Sequence, residues 1–318
     1  MPVSRTALAA RLAHVQAAAG RQSEGLKALL KGSDLSDAGV ARSAARMIAA
    51  GFERRYKLIA PEFTAALSTV SDPVERRRFH RLLLLESVLQ FNRSERFDQL
   101  PLLIQHYQLH SLERIVLTET DDQADWLTGS SDRYCKDLGL ATLALVAVGM
   151  RVAEVRSGIH RRALIEGPLR QIPAKLAGIL QAGGFRFYIQ AHVHDPQIKS
   201  LVVSERKEYW RCCALLCKVM PELKGLISIG WIVDPALEWV SPRIYDSGRI
   251  PSENGALYFN LGSTAQSIQD ALTRSKTRQA LYEQGRYRPA NWLRIWPRQA
   301  LIAWADSLGM HDEQIMGE

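Results

Sequence analysis

Two histidines separated by one residue are the most chemically suggestive feature of this 318-residue sequence. His192 and His194 stand at the end of FRFYIQAHV, an aromatic and β-branched segment that predicts a strand. Residues two apart in an extended chain project to the same side. The pair is therefore suited to ligate a metal, or to act as a general base beside a polarising partner. Hydrogen bonding of both histidines to the backbone at the strand end explains the same pattern.

Two carboxylates follow predicted strands in the same part of the chain. Asp195 comes directly after His194, and Asp234 follows the apolar segment LISIGWIV. Either carboxylate would complete a metal site with the two histidines, and Asp234 is a candidate catalytic residue. Both aspartates precede proline, and Asp-Pro is a common start of a turn, so a purely structural role is the alternative.

Gly262-Ser263-Thr264 is the best candidate for a phosphate-binding turn. A predicted strand precedes it and a predicted helix follows, an arrangement in which free N–H groups face an anion. Helix capping by Ser263 or Thr264 explains the same residues. The sequence contains neither a GxxxxGK[ST] loop nor a GxGxxG fingerprint, so the known nucleotide motifs do not apply.

The strongest local concentration of charge lies between Thr273 and Arg298. Its cations are Arg274, Lys276, Arg278, Arg286, Arg288, Arg294 and Arg298, against the single acid Glu283. Arg274 and Arg278 are four residues apart and are predicted on one helical face, where arginines suit phosphate recognition. Arg243, in a Ser-Pro-Arg loop, is a further candidate ligand for a carboxylate or phosphate. A solvated basic helix is the simpler interpretation.

These candidates are predicted to be positioned by an α/β domain. Strands are predicted at 185–193, 226–233, 256–261 and 292–296, and helices at 205–220, 264–283 and 298–308. Helices between successive strands favour a mostly parallel or mixed sheet of about four or more strands. The carboxyl ends of parallel strands share one edge, which would gather His192, Asp234 and Ser263. The irregular connection at 239–251 is the weak point of this prediction.

The first 180 residues are predicted to be predominantly helical. Apolar periodicity indicates helical structure at 36–67, and another helix begins at Asp72-Pro73. The segment Leu138–Val155 is predicted as a buried helix, because its apolar core is too short to span a bilayer. We therefore predict a helical domain at 1–182 and an α/β domain at 183–318.

Composition fits a folded protein with an anionic partner. The chain is 47% hydrophobic and 23% charged, with a formal net charge of +8. Its four cysteines form no CxxC pair, and it begins without a secretory signal. These features predict a cytoplasmic protein with no transmembrane segment. Basic residues such as Arg156, Arg161 and Arg162 leave peripheral membrane contact open.

Three functions remain open from the sequence. The favoured one is a transferase with a phosphate-bearing donor, an acyl-CoA or acyl carrier above others, in which His192 or His194 is the base. The second is a metal-dependent hydrolase or lyase that uses His192, His194 and Asp195 or Asp234. The third is a basic nucleic-acid-binding or scaffold protein, although no helix-turn-helix, zinc finger or RNA-recognition motif is present. The oligomeric state is left undetermined.

Overall fold

The computed structural model describes residues 4–31, 36–91, 95–194, 196, 203–273 and 275–309. Asp195 and Arg274 lie outside this description. The helices are α1 (Arg5–Leu29), α2 (Asp37–Ala50), α3 (Pro61–Leu67), α4 (Pro73–Leu89), α5 (Glu95–Asp98), α6 (Leu102–Glu113), α7 (Asp132–Ala141), α8 (Ile172–Gln181), α9 (Val203–Val219), α10 (Leu237–Val240), α11 (Pro242–Glu253), α12 (Ala265–Leu272), α13 (Lys276–Glu283) and α14 (Arg298–Ser307). The strands are β1 (Val146–Val148), β2 (Arg151–Gly158), β3 (Arg186–Val193), β4 (Gly225–Gly230), β5 (Leu257–Gly262) and β6 (Asn291–Pro297).

The chain divides into two compact units. Of the described residues, unit 1 holds those of 4–154 with 192–194 and 196, and unit 2 holds those of 155–191 and 203–309. The predicted boundary at residue 182 falls within unit 2, and the independence of two domains stays a prediction. Among the described residues, no helix has the length and apolar character needed to cross a membrane.

Unit 1 is built around α4. The predicted start of this helix is confirmed, because Asp72 caps it by accepting the N–H of Val74 at 3.0 Å and Pro73 occupies its first turn. Further along, Leu82–Leu85 is completely buried, and α4 packs against α1, α2 and α7. This turn of α4 is apolar on all sides, as expected where neighbouring helices surround a helix.

The prediction of a single buried helix at Leu138–Val155 is wrong. Helix α7 ends at Ala141, and the segment continues as the antiparallel hairpin of β1 and β2. Gly149 has a φ of +67° and stands in the two-residue turn, where glycine adopts that conformation without strain. The valines of the segment favour strands. Because the segment is short, its apolar pattern alone does not distinguish a buried strand from a buried helix.

The predicted mixed sheet in the C-terminal half is confirmed. Its strand order is β1-β2-β3-β4-β6-β5. β3 and β4 are parallel, whereas β6 is antiparallel to both β4 and β5. Since β4 and β5 each oppose β6, they run in the same direction as one another and as β3. The carboxyl ends of these three strands therefore lie at the same edge of the sheet, as expected from the sequence.

Two helical connections of unit 2 differ from their predictions. The irregular connection at 239–251 folds as α10 and α11, which supplies the crossover between β4 and β5. The helix predicted over 264–283 is two helices, because α12 ends at Leu272 and Ser275 caps α13 by accepting the N–H of Arg278. Arg278 therefore belongs to α13.

The core of unit 2 lies on both faces of the sheet. On one face, Ile179 of α8 packs with Tyr188, Ile227 and Ile295. On the other, three tryptophans from α9, β6 and α14 form a cluster with ring centroids 5.2–5.7 Å apart: Trp210, Trp296 and Trp304. Trp210 packs edge-to-face against the other two rings. Aromatic packing of this kind contributes beyond the buried area alone.

Candidate functional site

His194 is part of a buried ion-pair network in unit 1. Its Nε2 lies 2.8 Å from Oδ1 of Asp137, and both side chains are essentially inaccessible to solvent. Arg114 contacts the same carboxylate and also donates to Glu119 at 2.7 Å. Arg114 is the first residue of a π-helical turn that extends α6, a local widening often found where a side chain must be placed. These contacts give His194 a structural partner on Nε2.

The charge of Asp137 is maintained by its neighbours. Burial alone would raise the pKa of this carboxyl, but the hydrogen bond from His194 and the adjacent Arg114 outweigh it and hold the pKa below its ordinary value. The carboxylate is thus ionised in the folded protein, where a positive or hydrogen-bonding partner is required for its stability.

His192 has a different and more open environment. Its Nε2 lies 3.3 Å from Oε2 of Glu154, and its ring centroid lies 5.0 Å from that of Tyr56. The side chain is 20% exposed, against 1% for His194. A carboxylate that orients a partly exposed imidazole is an arrangement suited to a general base.

The two histidines are bound to separate carboxylates. His192 contacts Glu154, whereas His194 contacts Asp137. Throughout the described ranges, no three His, Cys, Asp or Glu side chains come together as a metal site. Asp195, the third predicted ligand, is outside those ranges. The metal-dependent alternative therefore has no cluster to support it in the described part of the chain.

Asp234 and Ser263 each interact with the segment that precedes β6, at Ala290 and Pro289 respectively. The Asp234 carboxylate accepts the N–H of Ala236 at 2.9 Å, and the nearby N–H of Ala290 also lowers its pKa. Ser263 donates to the carbonyl of Pro289 at 2.7 Å, one residue before Ala290. Burial raises the pKa of Asp234, and these hydrogen bonds offset part of the rise.

Thr264 caps α12 through a reciprocal pair of hydrogen bonds. Its Oγ1 accepts the N–H of Ser267 at 3.0 Å, and its own N–H donates to Oγ of Ser267 at 2.9 Å. Gly262, with a φ of +83°, makes the turn into this cap. Within the predicted phosphate turn, the N–H of Thr264 thus has a partner, and the N–H of Gly262 donates to Oδ1 of Asn260 at 2.6 Å. These bonds favour the capping interpretation of Thr264.

Arg278 is buried in the same region of unit 2. Its Nη1 donates to Oγ of Ser241 at 3.0 Å, and its guanidinium lies 4.9 Å from the ring centroid of Trp231. Burial raises the pKa of the neighbouring Tyr287, and the charge of Asp234 raises it further, whereas Arg278 opposes the rise. Asp234, Arg278 and Tyr287 therefore interact as one buried polar cluster. Arg243 is exposed on the first turn of α11.

The basic segment at 273–298 does not form one charged face. Arg278 and Arg294 are each only 4% exposed, and Arg298 donates to the carbonyl of Met220 at 3.0 Å. Lys276, Arg286 and Arg288 are exposed. The nucleic-acid alternative thus depends on a smaller set of cations than the sequence indicated.

The parallel ladder between β3 and β4 is short. It joins Ile189 to Leu226 and Gln190 to Ile227, and β4 then continues through Ser228–Gly230, whose pairing in the described residues is with β6. Ile229 is 41% exposed, and a Cβ added to Gly230 would meet no atom within 4 Å. Among the described residues, β4 thus extends three residues past its last pair with β3, and this end of β4 is partly exposed. It lies at the carboxyl edge of the parallel strands, where open sheets of this kind bind ligands.

Arg294 places a cation beside the carboxyl end of β4. Its Nη2 donates to Oγ of Ser228 at 2.9 Å across the antiparallel pair of β4 and β6. A guanidinium held in a buried position interacts strongly with an anion that reaches it, because little water screens the charge.

Comparison with known proteins gives this chain no relative. No family model matches the sequence, and neither a curated protein nor a solved structure does so.

Proposed function

We propose that the chain is a transferase that takes an acyl group from a phosphate-bearing donor of the acyl-CoA or acyl-carrier type. The observation that carries this proposal is the exposed carboxyl end of β4, where Ser228–Gly230 continue past the last described pair with β3 and Ile229 is 41% exposed. An exposed strand end is suited to hydrogen bonds with an extended, amide-containing arm. The nearby guanidinium of Arg294 favours an anionic donor.

His192 is the proposed base. Glu154 orients its imidazole, with Oε2 3.3 Å from Nε2, and the side chain is 20% exposed. In the proposed step, the acceptor forms a bond to the thioester carbonyl carbon and the C–S bond breaks. The imidazole takes the proton of the acceptor and returns it to the leaving thiolate, so the protein ends the cycle unchanged. Asp234 remains a candidate for a second proton-transfer group.

Removal of the phosphates from the donor should weaken binding by at least about tenfold, since each charge-assisted hydrogen bond contributes about 1.5–3 kcal/mol. Calorimetric titration with acetyl-CoA and with acetyl-pantetheine, which lacks the phosphates, measures this difference. Equal affinity for the two compounds, or no binding of acetyl-CoA at millimolar concentration, would count against the proposal.

Peripheral membrane contact remains a separate prediction. Arg156 pairs with Glu222 at 3.0 Å, and Arg162 pairs with Glu166 at 3.0 Å, whereas Arg161 is exposed. Two of the three basic side chains are therefore partly neutralised, which weakens the attraction to acidic lipid.

A further inference from the structure

Unit 1 contains a cavity that the sequence did not suggest. Its volume is about 560 Å³, within the range that small-molecule sites occupy. It lies between the loop before α3, the helices α3 and α4, and the loop before α7. Its lining residues are Lys57, Leu58, Ile59, Thr64, Leu67, Ser68, Pro73, Arg76, Arg77, His80, Leu127, Thr128 and Gly129.

The charges around this cavity are of one sign. Lys57, Arg76 and Arg77 line it, and the described lining includes no Asp or Glu. Asp132 pairs with Lys57 at 3.7 Å, but both side chains are more than half exposed, so solvent screens that pair. Three cations with no acid in the described lining favour an anionic ligand.

His80 adds a hydrogen-bond acceptor to the cavity. Its Nδ1 lies 2.9 Å from the carbonyl oxygen of Arg76, which can only accept, so Nδ1 carries the proton and Nε2 has the free lone pair. A Cβ added to Gly129 would lie 3.5 Å from that Nε2. The rings of Phe63 and Tyr134 pack against the imidazole of His80 in T-shaped geometry, with centroids 5.7 and 4.9 Å from its own. Burial lowers the pKa of His80, which keeps the imidazole neutral near pH 7.

Much of the remaining lining is apolar, beside the hydroxyl residues Thr64, Ser68 and Thr128. Ile59, Leu67 and Leu127 line the cavity, and Leu67 and Leu127 are themselves buried. A ligand for this site therefore needs an apolar body, an anionic group for the cations and a donor for His80.

We propose that this cavity binds a small amphipathic anion, with a carboxylate or phosphate group near Arg77 and an apolar chain along the leucines. A hydroxyl group on the chain would donate to Nε2 of His80. None of the lining residues of this cavity is assigned to the proposed donor site or to the proposed base. Binding here and acyl transfer can therefore succeed or fail independently.

Calorimetric titration of the full chain with octanoate, octyl phosphate and octanol tests the proposal. We expect both anions to bind and octanol to bind at least about tenfold more weakly, because it lacks the charge. Tighter binding of octyl phosphate would identify a phosphate ligand, and tighter binding of octanoate a carboxylate. Octanol binding as tightly as the anions, or no binding of either anion at millimolar concentration, would overturn the proposal.

Two variants locate the ligand. Arg77→Gln should weaken octanoate binding about tenfold to a hundredfold, the effect of one charge-assisted hydrogen bond. Gly129→Leu should abolish binding, because the new side chain would start 3.1 Å from Ile59 Cδ1 and occupy the cavity. Arg42→Gln, which removes an exposed arginine of α2, is the matched charge control and should leave affinity unchanged. Circular dichroism confirms that each variant is folded. Arg77→Gln with unchanged affinity in a folded protein would contradict the site.

Discussion

Replacement of Asp137 by alanine is expected to lower the free energy of unfolding by about 3–5 kcal/mol. The carboxylate is fully buried and receives His194 at 2.8 Å together with Arg114. Its removal leaves the guanidinium of Arg114 in a low-dielectric environment with one of its two acidic partners gone. Urea unfolding at pH 7, followed by circular dichroism, measures the loss.

A solvent-exposed ion pair of the same unit is the control. Arg46 and Glu62 lie 3.2 Å apart, with side chains 75% and 42% exposed. Glu62→Ala should change stability by about 1 kcal/mol or less, since water screens the pair and hydrates the arginine left behind. Losses of similar size in the two variants would mean that the buried network does not stabilise the fold as described.

The pH dependence of the free energy of unfolding gives a second test of Asp137. A pKa below the ordinary value in the folded state means that the stabilisation is fully present above the unfolded-state pKa, about 3.9, and disappears as the pH falls through the lower folded-state value. Asp137→Asn cannot titrate at this position. The difference in stability between wild type and Asp137→Asn should therefore narrow on acidification below about pH 4.

Replacement of His192 by alanine is expected to lower kcat for acyl transfer by about 10²- to 10⁴-fold, the usual contribution of a general base. Donor affinity should be nearly unchanged, because the proposed donor contacts come from β4 and Arg294. Steady-state kinetics of free-thiol release from acetyl-CoA, with calorimetric donor titration, separates the two effects.

Chemical rescue of the His192→Ala variant by imidazole distinguishes a catalytic base from a structural residue. Added imidazole should restore part of the activity of His192→Ala, because it can enter the space left by the side chain and accept the proton. His14→Ala, which removes an exposed histidine of α1, is the control and should retain wild-type kcat. Wild-type turnover in His192→Ala would eliminate His192 as the base, and loss of activity without rescue would assign it a structural role.

The elements that the sequence predicted best are those with strong local signals. The start of α4 follows from Asp72 and Pro73, whose preferences act within one helical turn. Strand β3 follows from its β-branched and aromatic residues. Each of these features depends on residues close in sequence, so no knowledge of the fold is needed.

The hairpin within Leu138–Val155 was missed for a physical reason. A short apolar segment buries equally well as a helix or as strands, and tertiary packing decides between them. Here β1 packs against α6 and α7, and Gly149 allows the chain to reverse. The glycine was visible in the sequence, but its φ of +67° was not.

The candidate site could be predicted only in part. The common direction of β4 and β5 agrees with the predicted sheet, whereas a shared site of Asp234 and Ser263 stays a prediction. The partner of His194 could not be foreseen, because Asp137 lies 57 residues away in sequence and faces it only in the folded chain. His80 likewise stands in an ordinary amphipathic helical pattern, and only the packing of α3 and the loop at 127–129 makes it part of a cavity.

Hydrogen exchange with and without acetyl-CoA tests the proposed donor site most directly. Backbone amides at the carboxyl end of β4 should exchange more slowly when the donor is bound, whereas the exchange rates of peptides that line the unit 1 cavity should not change. The transferase proposal therefore predicts protection concentrated in Gly225–Gly230. Unchanged exchange of this strand at a saturating donor concentration, or protection confined to unit 1, would contradict it.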